Sequence, residues 1–168
     1  HQDTGETDPY LLAAASIPGQ GPFDTFADAQ FPIDGLAESA RALGHVSATL
    51  DADGPWRRSL LLAGHDERLI PSLALSAALV KRDQSPTDIS VAEQRLHLAN
   101  QSIPLDPDWR LPIWYNGGTG SYARYSYGQL FVSELQLREG QEPGLDPQMF
   151  EDKIVIVGIA AAGLHDLF

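Results

Sequence analysis

Apolar residues recur along the chain at two spacings, and each predicts a different element. The run YLLAAASI, residues 10–17, is short, apolar and bounded by polar and Pro/Gly residues, which predicts a buried strand. A loop carrying Phe23, Phe26 and Phe31 follows. In FPIDGLAESARALG the apolar positions Ile33, Leu36, Ala37, Ala40 and Leu43 fall at helical spacing, and Gly44 stands where a C-terminal cap belongs. Val46, Ala48 and Leu50 then alternate with polar neighbours, and RSLLLAG begins after DADGPW, so this stretch predicts strand, turn, strand. From Pro71, PSLALSAALVKR predicts a helix over 71–82. Its Leu75 and Leu79 lie one turn apart, and Lys81 and Arg82 suit the negative pole of its dipole.

RLHLANQSIPL predicts two short strands about Asn100 and Gln101, and RLPIWYN a further strand ending in the glycines 117, 118 and 120. Ser126 and Gln129 form the S-x-x-Q pattern of a capping box, placing a helix over 126–134, and Asp146 with Pro147 opens a helical turn. KIVIVG, residues 153–158, is an unbroken β-branched run of the kind buried on both faces of a parallel sheet. The expected fold is α/β: a mixed, mostly parallel central sheet flanked by the 71–82 and 126–134 helices, with antiparallel hairpins, in a single domain over residues 1–168.

Length supports a real core, since a chain of 168 residues buries roughly 70% of its unfolded surface. The charge narrows the partners. With 11 basic and 23 acidic residues the net charge is −12, which repels phosphate backbones and anionic membrane surfaces, so nucleic-acid binding is not expected. Without cysteine there is no disulfide frame, thiolate metal site or cysteine nucleophile. The longest strongly apolar run, residues 154–164, falls short of the roughly 18 to 20 residues of a membrane span, predicting a soluble chain. The opening HQDTGETDPY has no initiator Met, and the last residues follow directly on an apolar run, so the chain reads as a piece of a longer protein.

Candidate chemistry is sparse. Asp51, Asp53 and Gly54 sit in the middle of an EF-hand register, but Thr49 stands at the first ligand position and Leu60 at the twelfth, where calcium needs a bidentate carboxylate. Aspartates that bond their own backbone and a glycine at positive φ account for a tight turn without an ion. Gly158 and Gly163 have Walker spacing, but Leu164 and His165 occupy the Lys and Ser/Thr positions. No G-x-S-x-G occurs, and His45, His65, His97 and His165 lack helical metal-ligand spacing. His165 and Asp166 are neighbours, which on a strand point to opposite faces. Neither a metal nor a cofactor is expected. Around the glycine loop lie Trp109, Trp114, Tyr115, Tyr122, Tyr125 and Tyr127, rings that pack in a core or stack on a ligand. Asn116, Tyr122 and Arg124 are the polar members of that loop and the candidate ligand-binding residues, because α/β sheets collect ligands at strand ends.

The ordered set GHVSATLDADGPWRRSLLL, LIPSLALSAALV, LHLANQSIPLD, IWYNGGTGSYARYSYGQLF and DKIVIVGIAAAGLHD resembles the second type of CHASE domain, an extracytoplasmic sensor of bacterial receptors, over about residues 44–166. In that family the signature D-x-D-G-x-x-R-R falls on Asp51, Asp53, Gly54, Arg57 and Arg58, which read as a structural turn with an Asp-to-Arg contact. Family members open with an acidic strand and helix that have no counterpart here, so the resemblance implies an N-terminally incomplete domain. It also implies a periplasmic part of an inner-membrane receptor, anchored by transmembrane helices outside this chain and followed by a nucleotide cyclase or kinase output. The implied role is non-enzymatic: binding an unknown small-molecule or protein signal, with a homodimer as one form. The alternative is a stand-alone periplasmic hydrolase or carbohydrate-binding module, supported by the aromatic loop.

Overall fold

Leu62, Leu79 and Leu96 are fully buried, come from three different elements, and mark the core of the computed structural model, which describes residues 17–18, 21–118 and 120–158. The chain divides into two compact units, residues 1–114 and 115–168. The first contains β1 (Ile17–Pro18), α1 (Asp34–Ser39), β2 (Arg58–Ser59), β3 (Leu62–His65), β4 (Arg68–Pro71), α2 (Leu73–Lys81), β5 (Ile89–Ala92), β6 (Arg95–Leu98), β7 (Gln101–Pro104) and β8 (Leu111–Pro112). Three small sheets form, ordered β1-β4-β3, β2-β8 and β5-β6-β7, and each strand pairs antiparallel with its neighbours.

The hairpins explain this outcome. Asp66 and Glu67 join β3 to β4 with φ of 46° and 59°, and Glu93 and Gln94 join β5 to β6 with φ of 50° and 55°. Two successive left-handed residues make a two-residue turn whose twist matches antiparallel strands, so local chain reversal rather than crossover builds the sheets. The expected mostly parallel central sheet is therefore incorrect. Among the described residues, parallel pairing is confined to the isolated bridges Thr25–Gly64 and His45–Ser72. The inward residues Ile89, Leu96 and Leu98 of one sheet join Leu62 and Leu69 of another, with Leu75 and Leu79 of α2, in one apolar cluster. Phe23 enters the same cluster and meets Trp109 edge to face, with ring centroids 5.9 Å apart.

Both first-unit helices differ from expectation at their ends. α2 begins after Ser72, whose hydroxyl accepts from Leu75 N at 3.3 Å, while Pro71 closes β4. α1 ends at Ala40, and Gly44 does not cap it. A side chain at Gly44 would place its Cβ 2.6 Å from the Cα of Leu73, so this glycine permits close passage over the start of α2. Residues 46–50 form no strand, leaving Val46 and Leu50 exposed. β2 pairs instead with β8, so the 51–58 turn does not join two antiparallel strands. RLPIWYN contributes only Leu111–Pro112 as strand.

The second unit is built on α3 (Tyr127–Arg138). Its capping box is complete: Ser126 Oγ accepts from Gln129 N, and Gln129 Oε1 accepts from Ser126 N, both at 3.1 Å. Asp146 accepts from Gln148 N at 2.9 Å and opens the predicted helical turn, Pro147–Phe150. KIVIVG is not an interior strand. Residues 153–158 pair with no strand, and Ile156 is 89% exposed. A β-branched run states what a chain segment can bury, but a sheet also needs partner backbones, and none of the described residues supplies them. Of YLLAAASI, only Ile17 lies within the described residues. No described helix is long and apolar enough to cross a membrane.

This placement separates two substitutions that the sequence pattern treats alike. Leu96→Ala opens a cavity in the core and is expected to cost about 2–5 kcal/mol in denaturant unfolding. Val155, 52% exposed, leaves little to lose, and Val155→Ala is expected to change stability by less than about 0.5 kcal/mol in the same experiment.

His45 supplies a second expectation. Its backbone N–H donates to Pro71 O at 3.0 Å and its carbonyl accepts from Leu73 N at 2.9 Å, while both ring nitrogens are buried without partners. Burial lowers the imidazole to about 4, from 6.5 when unhindered. The unfolded chain then binds the proton more readily, so this contribution is complete above pH 6.5 and is lost as pH falls from 6.5 towards 4. Compared with His45→Leu, the native chain should lose melting temperature across that window and run parallel to it above pH 7. Parallel curves at every pH would reject the assignment.

Candidate functional site

The DADGPWRR turn is closed first by its backbone. Gly54 N donates to Asp51 O at 2.8 Å and Asp51 N to Pro55 O at 3.0 Å. Gly54 adopts φ +100°, open to glycine but strained for a residue with a Cβ. With the turn closed, the carboxylates are free to meet arginines. Arg57 grips Asp53 with both terminal nitrogens, Nη1 at 2.7 Å and Nη2 at 2.8 Å, and also reaches Asp51 at 3.1 Å. Arg58 donates from Nε and Nη2 to Asp51 Oδ1 at 3.0 and 2.8 Å. Its Nη1 turns to Asp108 at 2.7 Å and Asp106 at 3.3 Å.

β2 makes this convergence possible. Arg58 lies opposite Pro112 of β8, and Ile113 N donates to Arg57 O at 2.8 Å, which sets the 51–58 turn beside residues 106–110. Asp106 folds its own loop by accepting from Asp108 N and Arg110 N at 3.0 and 2.8 Å, and Arg110 in turn binds Asp24 at 2.8 Å. The Asp51 and Asp106 side chains are only 13% and 15% exposed, so Arg58 neutralises carboxylates largely withdrawn from water. Hydrogen bonding from Arg58 holds Asp51 below the usual carboxylate range, and Arg57 does the same for Asp53. The turn oxygens that a cation would need are thus engaged by guanidinium groups, and Leu60, at the twelfth EF-hand position, is buried. Among the described residues no cluster of three or more metal-ligating side chains occurs.

The second candidate, the loop of residues 116–124, lies in the other unit. Asn116 Nδ2 donates to the Tyr122 hydroxyl at 3.0 Å, bringing two of the three named residues together across the glycines. Ser121 ties the loop by donating its hydroxyl to Gly118 O at 2.8 Å. Tyr122 is 68% exposed, and Asn116 and Arg124 are exposed as well. Tyr125 anchors the loop's end, meeting Phe150 edge to face at 5.5 Å. The loop can therefore offer an aromatic face, an amide and a guanidinium to a polar or planar molecule. The structure joins Arg124 to neither of the other two by a hydrogen bond.

Asp106 and Asp108 escaped the sequence reading, although DPDWR repeats the alternating aspartates of DADG and could have suggested a second Arg-binding turn. Gly163, Leu164, His165 and Asp166 lie outside the described residues.

A neutralised charge cluster on one unit and an exposed polar loop on the other are the equipment of recognition. The model of the CHASE2 domain matches residues 6–168, and the chain belongs to that family of extracellular sensory, non-catalytic domains. The match begins well before residue 44, where the recognisable motifs start. No curated protein and no solved structure matches the chain.

The two arginines differ in what they neutralise. Arg58→Met leaves Asp51 and Asp106 without their shared cation, whereas Arg57→Met uncovers mainly the exposed Asp53. The expected outcome is a larger fall in melting temperature for Arg58→Met, read by calorimetry at pH 7. The depressed carboxylates contribute stability above about pH 3.8 that is lost as pH falls below it, so the gap between native and Arg58→Met should shrink in acid. An unchanged gap at pH 3 would refute the ion-pair account.

Proposed function

We propose that this chain is the signal-receiving domain of a bacterial transmembrane receptor, lying on the periplasmic side of the inner membrane. Its output would be a nucleotide cyclase or kinase carried elsewhere in the protein. Family membership over residues 6–168 carries the proposal. In this reading the signal is a small molecule taken up at the 116–124 loop, stacking on Tyr122, hydrogen-bonding Asn116 and paired with Arg124. The exposure of all three and the Asn116–Tyr122 hydrogen bond support that choice. Arg124 favours a ligand carrying a carboxylate or other anion, because a guanidinium presents paired donors to such groups. The acidic surface, with net charge −12, would work against a polyanion, so a compact acid fits better than a nucleic acid. A protein partner or a homodimer contact would be the other route for the signal.

A thermal-shift screen of small acids against the purified chain tests the reading. A ligand at one hundred times its dissociation constant adds about 2.7 kcal/mol of apparent stability. The expected result is a hit whose shift falls by more than half in Tyr122→Ala and in Arg124→Ala. Hits untouched by Asn116→Ala, Tyr122→Ala and Arg124→Ala would move the site elsewhere. Steady turnover of ester or glycoside substrates would favour the hydrolase reading instead.

A further inference from the structure

The C-terminal end of α2 closes in an uncommon way. Asp83 N donates to Val80 O at 3.2 Å and Gln84 N to Leu79 O at 3.0 Å, the paired bonds of a Schellman cap. Such caps favour glycine at the left-handed position and an apolar side chain at the next, where it packs on the last turn of the helix. Here Asp83 takes the left-handed position, with φ 53°, and Gln84 takes the apolar one. The Asp83 carboxylate binds Arg41 at 2.5 Å. Immediately afterwards Ser85 and Asp88 form a capping box, so the backbone of Gln84 is held from both sides.

Gln84 lines a cavity of about 90 Å³ together with Ala42, Leu79, Val80, Pro86 and Arg41. Its Oε1 is buried with no hydrogen-bond partner. Exchanging the amide oxygen and nitrogen leaves an orphaned donor in its place, so one polar end lacks a partner in either orientation. An unpaired buried amide is disfavoured, and a native structure that retains one has a reason to be sought at that site.

We infer that the Arg41–Gln84 cavity is a binding site for a small aliphatic molecule bearing an amide N–H or hydroxyl donor. The donor meets the Gln84 side-chain oxygen, and the short hydrocarbon body lies against Ala42, Leu79, Val80 and Pro86. The volume excludes a sugar ring or nucleotide and suits a body of a few heavy atoms, being smaller than the roughly 150 Å³ cavity that admits benzene. Arg41, at the rim, offers donors to an acceptor on the same molecule. The site lies in the first unit and stands independently of the 116–124 loop.

Propionamide is the probe, and butanone, of nearly the same shape without the N–H, is its control. Titration of the chain followed by amide NMR shifts should give saturable millimolar binding of propionamide, with the largest shifts at residues 42, 80 and 84. Butanone should bind about tenfold more weakly, the worth of one hydrogen bond to a buried acceptor. Gln84→Leu restores the apolar residue that the cap favours, so it should fold at least as stably and bind the two probes equally. Equal binding of both probes to the native chain would overturn the assignment. So would unsaturable shifts, shifts centred elsewhere, or a propionamide affinity that survives Gln84→Leu. A water bound to Gln84 Oε1 that persists at saturating propionamide would likewise show the cavity to be a hydration site.

Discussion

The backbone junction at Ser72 is the constraint on which the first unit depends. Ser72 N donates to Leu61 O at 2.8 Å, Pro71 O and Leu73 N both bond His45, and Ser72 Oγ caps α2 through Leu75 N. Three distant segments therefore fix where α2 begins. Helical periodicity then puts Leu75 and Leu79 into the core beside Leu62 and Leu96. Gly44 belongs to the same constraint, since a Cβ there would force residues 43–45 off the helix start. The cost is carried by His45, whose ring is buried at the junction and meets no polar partner.

Features fixed by neighbours a few residues away were legible in the sequence. The Ser126–Gln129 box, the Asp146–Pro147 turn and the core spacing of Leu75 and Leu79 are settled within one or two helical turns. What required partners distant in sequence was not legible. The alternation of Val46, Ala48 and Leu50 has the period of a strand, yet no backbone lies alongside it and β2 pairs with β8. The hairpin at Glu93 and Gln94 was missed for the opposite reason: its left-handed turn is made by residues that carry no turn signal.

KIVIVG shows why composition misleads about fold class. Continuous Ile and Val report that a segment is suited to burial between two layers, which in parallel sheets arises because crossover helices cover both faces. They do not report strand direction, and they do not supply the neighbouring strands. The described hairpins satisfy their own backbone groups locally, through β3–β4 and β5–β6–β7, and leave no free edge committed to residues 153–158. Even the outer edge of β3 is engaged, by the bonds of Asp24 O and Phe26 N to Gly64.

The candidate sites divide along the same line between committed and uncommitted polar groups. In the DADGPWRR cluster the residue types predicted the contact, because aspartates in a turn and consecutive arginines can hardly avoid pairing. The depth of the cluster came from Asp106, brought in by strand pairing. Such groups are spent on one another: a ligand that took Arg58 would have to leave Asp51 and Asp106 bare, which desolvation strongly opposes. The groups open to a ligand are those whose folded partners are weak or missing. Asn116, Tyr122 and Arg124 meet that condition by exposure, and Gln84 meets it by burial without a partner. An exposed group exchanges water for a ligand at little net gain, whereas a buried orphan has no water to lose, so each hydrogen bond it forms counts for more. That asymmetry makes the smaller, hidden site the more selective of the two, and the broad loop the one able to accept varied chemistry.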